Sequence, residues 1–169
     1  FREYGTTMRG LMTCHDVDPK EFMDYVHDID LAPISANPIL TEALAKLPGR
    51  KVIYTNGTTT HAQNITQHLQ IDHHFEGCFD IIDAEYVPKP ATGPYETFCV
   101  RFDIDPKTAI MVEDMARNLL PAAALGMTTV WLDTDVDWAR DGSEHGHVHH
   151  RTVDIATWLN DVVSGVQPS

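Results

Sequence analysis

Three short stretches carry side chains suited to handling an anion. The first is Thr55-Asn56-Gly57, which follows the apolar run Val52-Ile53-Tyr54. A strand that stops at a hydroxyl, an amide and a glycine, just ahead of a helix, leaves backbone N–H groups and a positive helix end facing one spot. Thr55 adds a hydroxyl donor, while Asn-Gly equally suits a plain strand-end turn. The second is Pro88-Lys89-Pro90, where two prolines narrow the directions open to the lysine. A solvated loop lysine is the alternative there. The third is Glu113-Asp114, at the end of Ala109-Ile110-Met111-Val112. Two acids at the end of a buried strand are costly unless a metal or a cation pairs with them. Such a pair also suits a helix N-terminus.

Strand and helix signals alternate around these stretches. Helical spacing runs from Pro38 to Leu47, with Ile39, Leu40, Ala43, Leu44 and Leu47 inward, and Pro48-Gly49 ends it. After the Val52–Tyr54 strand come a helix from Thr58 to Leu69, a strand from Phe79 to Ile82 and a helix from Pro94 to Phe102. The continuous run Ala109 to Val112 reads as a strand buried on both faces. Asn118 is expected to cap the next helix, with Pro121 in its first turn. Thr128 to Leu132 is a fourth strand, and Val153 to Val163 a closing helix. This alternation predicts an α/β fold, a Rossmann-like parallel sheet with helices on both faces. Ligands bind such sheets at the carboxyl ends of the strands, where all three stretches fall.

Residues 1–35 read differently from 36–169. Asp18-Pro19 and Glu21 start a helix, and Phe22, Tyr25, Val26 and Ile29 share one of its faces. Residues 1 to about 30 are expected to form two short helices, a lid or packing layer. Asp28-Ile29-Asp30 closes that helical pattern with no apolar strand leading in, so it reads as a helix end.

The 169 residues suffice for one domain with a core, or a domain with a small appendage. A net charge of −13 without a Lys/Arg cluster argues against nucleic-acid polymers and anionic membranes, but not against a small phosphorylated substrate. No apolar run is long enough to span a bilayer, and no signal peptide is visible. Cys14, Cys78 and Cys99 have no metal-type spacing and read as reduced, partly buried thiols of a cytoplasmic protein. Glu144 to His150 holds four histidines within six residues. It reads as a solvated loop, with Zn²⁺ or Ni²⁺ binding as the alternative. Asp133 to Asp141 reads as an acidic surface connection.

The strand ending in Thr55-Asn56-Gly57, Pro88-Lys89-Pro90 before a helix, Met111-Val112-Glu113-Asp114 with Asn118-Leu119, and Leu125-Gly126-Met127 together resemble the haloacid dehalogenase-like hydrolase superfamily. Arg2 to Leu11 and Tyr25 to Asp30 look like the small helical cap of its pyrimidine 5′-nucleotidase-type members. The resemblance implies a Mg²⁺-dependent phosphate-monoester hydrolase that forms an aspartyl-phosphate. Thr55, Asn56 and Gly57 would hold phosphoryl oxygens and Lys89 would offset charge. Asp114 would bind Mg²⁺, with Glu113 as a second ligand or acting through water. Arg9 and His27 would contact substrate from the cap. The implied substrate is small and phosphorylated, such as a pyrimidine nucleoside monophosphate, and a homodimer is compatible with it. The family's first motif, a strand ending in Asp-x-Asp-x-Thr at the centre of the sheet, has no counterpart in the sequence. The nucleophile is therefore expected upstream, on a truncated or missing segment, and this chain alone is expected to be inactive. The alternatives are a non-catalytic binding or regulatory protein with this fold, or another phosphatase or dehalogenase of the superfamily.

Overall fold

A computed structural model describes residues 7–15, 18–27 and 29–166, without the side chains of residues 7–9, 20, 21 and 24. The chain forms two compact units, Phe1–Thr41 with Pro48–Pro88, and Glu42–Leu47 with Lys89–Ser169. Helix α3 (Pro38–Lys46) crosses the boundary along the chain and buries Ala43 and Leu44, while Ile39 stays exposed.

The first unit begins with two helices, α1 (Thr7–His15) and α2 (Pro19–His27). Pro19 occupies the first turn of α2, where a missing N–H costs nothing. Met23 and Ile81 are buried together, with Met12, Phe22, Val26 and Tyr86 packed around them. Strand β1 (Val52–Tyr54) runs parallel to β2 (Gly77–Phe79), Val52 opposite Gly77 and Tyr54 opposite Phe79. Between them lies α4 (Thr59–His68), whose N-cap Thr58 accepts the His61 N–H through its hydroxyl.

The second unit starts with α5 (Thr92–Arg101), which buries Tyr95, Phe98 and Cys99. Its strands β3 (Ile110–Glu113), β4 (Thr128–Leu132) and β5 (His150–Thr152) form a parallel sheet in that order. Helix α6 (Leu119–Leu125) packs against β3 and β4. It ends at Gly126, whose φ of 100° is a left-handed value that glycine takes without strain. Asp154 caps α7 (Ile155–Val163) by accepting the N–H groups of Ala156 and Thr157. The chain is therefore α/β with parallel sheets and covering helices, as the alternation predicts.

Several expectations change. The strand expected at Phe79 to Ile82 lies earlier, at Gly77–Phe79. Asp80 ends it, because its carboxylate accepts the N–H groups of Ile82 and Asp83 and turns the chain. β3 is covered on one face only: Met111 is buried, whereas Ile110 is 55% and Val112 39% exposed. A continuous apolar run does not say which face is covered, since the cover comes from elements distant in sequence. Tyr25 and Ile29 are exposed while Phe22 and Val26 pack inward. Cys14 is exposed, Cys78 half-buried and Cys99 buried. β5 was not expected. It pairs Val130 with His150 and Leu132 with Thr152, and starts within the histidine-rich stretch.

That stretch is not a solvated loop throughout. His147 is buried with Nε2 2.9 Å from the Ala116 carbonyl oxygen. The Thr129 hydroxyl donates to the His147 carbonyl at 2.5 Å, and the Thr129 N–H donates to His149 Nδ1 at 3.0 Å. Among the described residues no three His, Cys, Asp or Glu side chains are gathered as a metal site. Asp133, expected on the surface, is buried at the end of β4 and held by Arg140 and Arg151. None of the helices among the described residues is long and apolar enough to cross a membrane.

Candidate active site

In the first unit the chain leaves β1 at Thr55, whose N–H donates to the Phe79 carbonyl at 3.0 Å. Its hydroxyl oxygen then accepts the Gly57 N–H at 2.9 Å, closing a tight turn. A side-chain carbon added at Gly57 would stand 3.3 Å from that hydroxyl oxygen and 3.3 Å from His27 Nε2. A methyl group there would press on the His27 ring, which lies over the turn. His27 is fixed from two sides. Its Nδ1 is 3.1 Å from the Thr58 hydroxyl, and its ring stacks on His61 with centroids 4.0 Å apart and planes 10° from parallel. Burial lowers the pKa of His61, so that ring is neutral at neutral pH.

Asp80 braces the same turn. Its Oδ2 accepts the Thr59 N–H at 2.9 Å and the Thr59 hydroxyl at 2.8 Å. Burial pushes its pKa up, but hydrogen bonds from Asp83, Thr59 and Ile82 outweigh that and hold it below the ordinary value. Its fixed negative charge therefore sits behind the start of α4. A cleft of about 580 Å³ opens between α2 and α4, lined among others by Met23, His27, His61, Asn64, Asp80 and Tyr86.

In the second unit Lys89 is buried, its Nζ donating to Glu113 Oε2 at 3.0 Å. The Lys89-Pro90 peptide bond is cis. Asn118 does not cap α6 as expected; its Nδ2 donates to Glu113 Oε1 instead. Both oxygens of Glu113 are thus occupied. The Asn118 backbone (φ −73°, ψ −14°) already has helical angles rather than the extended ones of a cap, because the turn Ala116–Asn118 runs straight into α6. Asn118 is itself held through its carbonyl, which accepts the Tyr95 hydroxyl at 2.5 Å. Asp114 differs: it is exposed, and no hydrogen bond engages its carboxylate among the described residues. Its carbonyl accepts the Trp131 indole N–H at 2.9 Å.

Thr55, Asn56 and Gly57 therefore form one turn, and Lys89, Glu113 and Asn118 form one buried cluster. The side chain of Arg9 lies outside the described residues, as do residues 2–6 and 28. Asp80, His61 and Asn64 were not singled out from the sequence. Asp80 had a usable signal, an acid directly after an apolar strand, the same pattern that marks Glu113.

Family comparison agrees with this architecture. Residues 13–126 match the model of the haloacid dehalogenase-like hydrolases. The chain belongs to that family. Among solved structures it is similar to a dehalogenase with an intermediate complex (TM-score 0.64, 22% identity, over 94% of this chain and 68% of the other). It is similar to a HAD phosphatase from Thermococcus onnurineus (TM-score 0.58, 19% identity, 89% and 66%). A third is the L-2-haloacid dehalogenase from Xanthobacter autotrophicus with chloropropionic acid covalently bound (TM-score 0.58, 17% identity, 75% and 59%). At these identities the likeness concerns the fold.

Proposed function

We propose that this hydrolase cleaves phosphate monoesters with Mg²⁺, as a nucleotide 5′-phosphatase that works through an aspartyl-phosphate. The observation that carries this reading is the Lys89–Glu113–Asn118 cluster. It holds one ammonium group at the end of a parallel strand, withdrawn from water and braced through two carboxylate oxygens. A positive charge fixed in advance stabilises charge that develops in a transition state without reorganising.

The oxygen donors beside it suit Mg²⁺, which commonly takes one or two carboxylates and keeps several waters. Asp114 offers an exposed carboxylate, and Asn118 Oδ1 is buried without a partner among the described residues. Asp114 is thus the residue that would hold the ion. Glu113, already occupied, acts on it only from behind. The ion, when bound, supplies Lewis-acid stabilisation of phosphoryl oxygens. The Thr55 hydroxyl, whose oxygen accepts the Gly57 N–H and whose proton can turn outward, orients a phosphoryl oxygen at the turn made with Asn56 and Gly57, and helices α1 and α2 serve as the small cap.

The nucleophilic Asp is assigned to a further strand that pairs with the open edge of β3. Among the described strands β3 pairs with β4 alone, so along its other edge no described strand takes up its backbone groups. Such an edge normally acquires a partner or a cover. The alternative is a dehalogenase of the same family, which would need no Mg²⁺. A longer chain that carries such a strand should release phosphate from nucleoside monophosphates only when Mg²⁺ is present, and residues 1–169 alone should not. Halide release from a 2-haloacid without Mg²⁺ would decide for the dehalogenase.

A further inference from the structure

We infer that Trp131 is a positioning residue for cation binding: its indole N–H fixes the peptide after Asp114, so that the Asp114 carboxylate is presented free at the end of β3. This rests on the reading that Asp114 holds the ion, and adds the residue that aims it.

Asp114 stands one residue beyond β3, whose last rung sets Glu113 opposite Trp131. The next backbone anchor is the Asn118 N–H, which donates to the Met115 carbonyl at 2.9 Å. Asp114 thus bridges the strand ladder and the turn Ala116–Asn118. Its carboxylate accepts no hydrogen bond among the described residues, so its direction follows from its backbone and its own rotamer. Two backbone rotations per residue set where a side chain starts. The indole N–H, 2.9 Å from the Asp114 carbonyl oxygen, restrains one of them.

The indole is itself held. Trp131 is 4% exposed, and the Arg151 guanidinium lies 5.3 Å from its ring centre, a cation–π arrangement. Arg151 is bound in turn by Asp133, a carboxylate buried at the end of β4 that also takes Arg140. Glu113, Trp131 and Arg151 form one row across the three strands, and Asp114 follows directly on that row. Filling space accounts for a buried ring and for some partner of its N–H. It does not account for a cation braced over the ring by a buried carboxylate. Groups that orient a metal ligand without touching the ion typically change affinity by about 10–100-fold.

The test titrates Mg²⁺ into residues 1–169 and follows the backbone amide resonances of Asp114 and Met115, which report binding without turnover. The wild type should show saturable shifts, lost in Asp114→Asn. Trp131→Phe should raise the dissociation constant about tenfold. Benzothienylalanine at position 131, which keeps the shape of the ring and carries sulfur in place of the N–H, should do the same. Thr129→Val, which loosens the same strand away from Asp114, should bind Mg²⁺ as the wild type does. If Asp114→Asn loses the shifts while the benzothienylalanine protein keeps the wild-type constant, the inference falls and the metal reading stands. Equal weakening in Thr129→Val also overturns it, since the loss is then one of general stability. Shifts that persist in Asp114→Asn, or that the wild type never shows, overturn the metal reading and this inference with it.

Discussion

Lys89 and Glu113 meet at 3.0 Å with their side chains only 6% and 11% exposed. Each gives the other a partner of opposite charge. Lys89→Met leaves Glu113 buried with Asn118 as its remaining side-chain donor, a loss of about 3–5 kcal/mol. Adding Glu113→Leu recovers part of it, because an apolar pair of similar volume can replace a buried ion pair at small cost. What remains is the Asn118 amide without its acceptor, about 1–3 kcal/mol. Urea unfolding of the two single variants and the double variant checks this; strictly additive losses would mean the pair is uncoupled.

Asp133 gives the second unit a pH dependence of known sign. Burial raises its pKa, but the Asp135 N–H and the Arg151 and Arg140 side chains outweigh burial and lower it overall. The unfolded chain therefore takes up this proton first. The stabilisation is complete above the ordinary carboxylate value of about 3.9 and is lost as pH falls through it towards the folded value. Asp133→Asn should be less stable at neutral pH, with its unfolding curve converging on the wild type in acid. A constant gap between the two curves from neutral pH to strong acid would contradict this.

Gly57 and His27 should behave as a coupled pair. Gly57→Ala brings a methyl group to 3.3 Å from both His27 Nε2 and the Thr55 oxygen. A loss of about 1 kcal/mol is expected from this overpacking. In a His27→Ala background one of the two close contacts is gone, so the same substitution should cost clearly less. A double-mutant cycle reads the difference directly.

The Thr129 hydroxyl joins the histidine-rich stretch to the sheet by three hydrogen-bonding contacts, to the His147 carbonyl and to the ring and N–H of His149. Thr129→Val keeps the shape and removes the hydroxyl. The expected cost is about 1–3 kcal/mol, with faster proteolysis within residues 141–149. Unchanged proteolysis would show that β5 pairing alone holds this stretch.

The sequence showed most clearly what depends on local pattern. β1 and β4 fall where their apolar runs lie, and α4 where a threonine cap opens a helical pattern. What it hid depends on distant partners. β5 is His150-Arg151-Thr152, a polar strand that gives no alternation signal and is identified only by the ladder it makes with β4. Asn118 reads as a helix cap because the short turn that precedes it and gives it helical angles leaves no mark in the sequence, and its partner Glu113 is brought to it by the fold. That a strand-end acid such as Glu113 needs a cation was legible, and the fold supplies Lys89. The difference between Glu113, fully engaged, and Asp114, open, was not legible, because adjacent acids look alike until their partners are known. Asp80 was read as part of a strand in part for the same reason: two of the four hydrogen bonds its carboxylate accepts come from Thr59, twenty-one residues away in sequence, and the other two from the turn it makes with Ile82 and Asp83.

Trp131 makes the open acid visible to light. Its indole N–H is tied to the Asp114 carbonyl at 2.9 Å, and the Arg151 guanidinium lies 5.3 Å from the centre of its ring. Indole emission responds to field and to hydrogen bonding. A cation taken up by Asp114 changes both within one residue of the reporter. With Trp138 and Trp158 replaced by phenylalanine, the remaining emission is an optical gauge of that carboxylate. It needs no dye and no substrate, and it works whether or not the protein turns anything over.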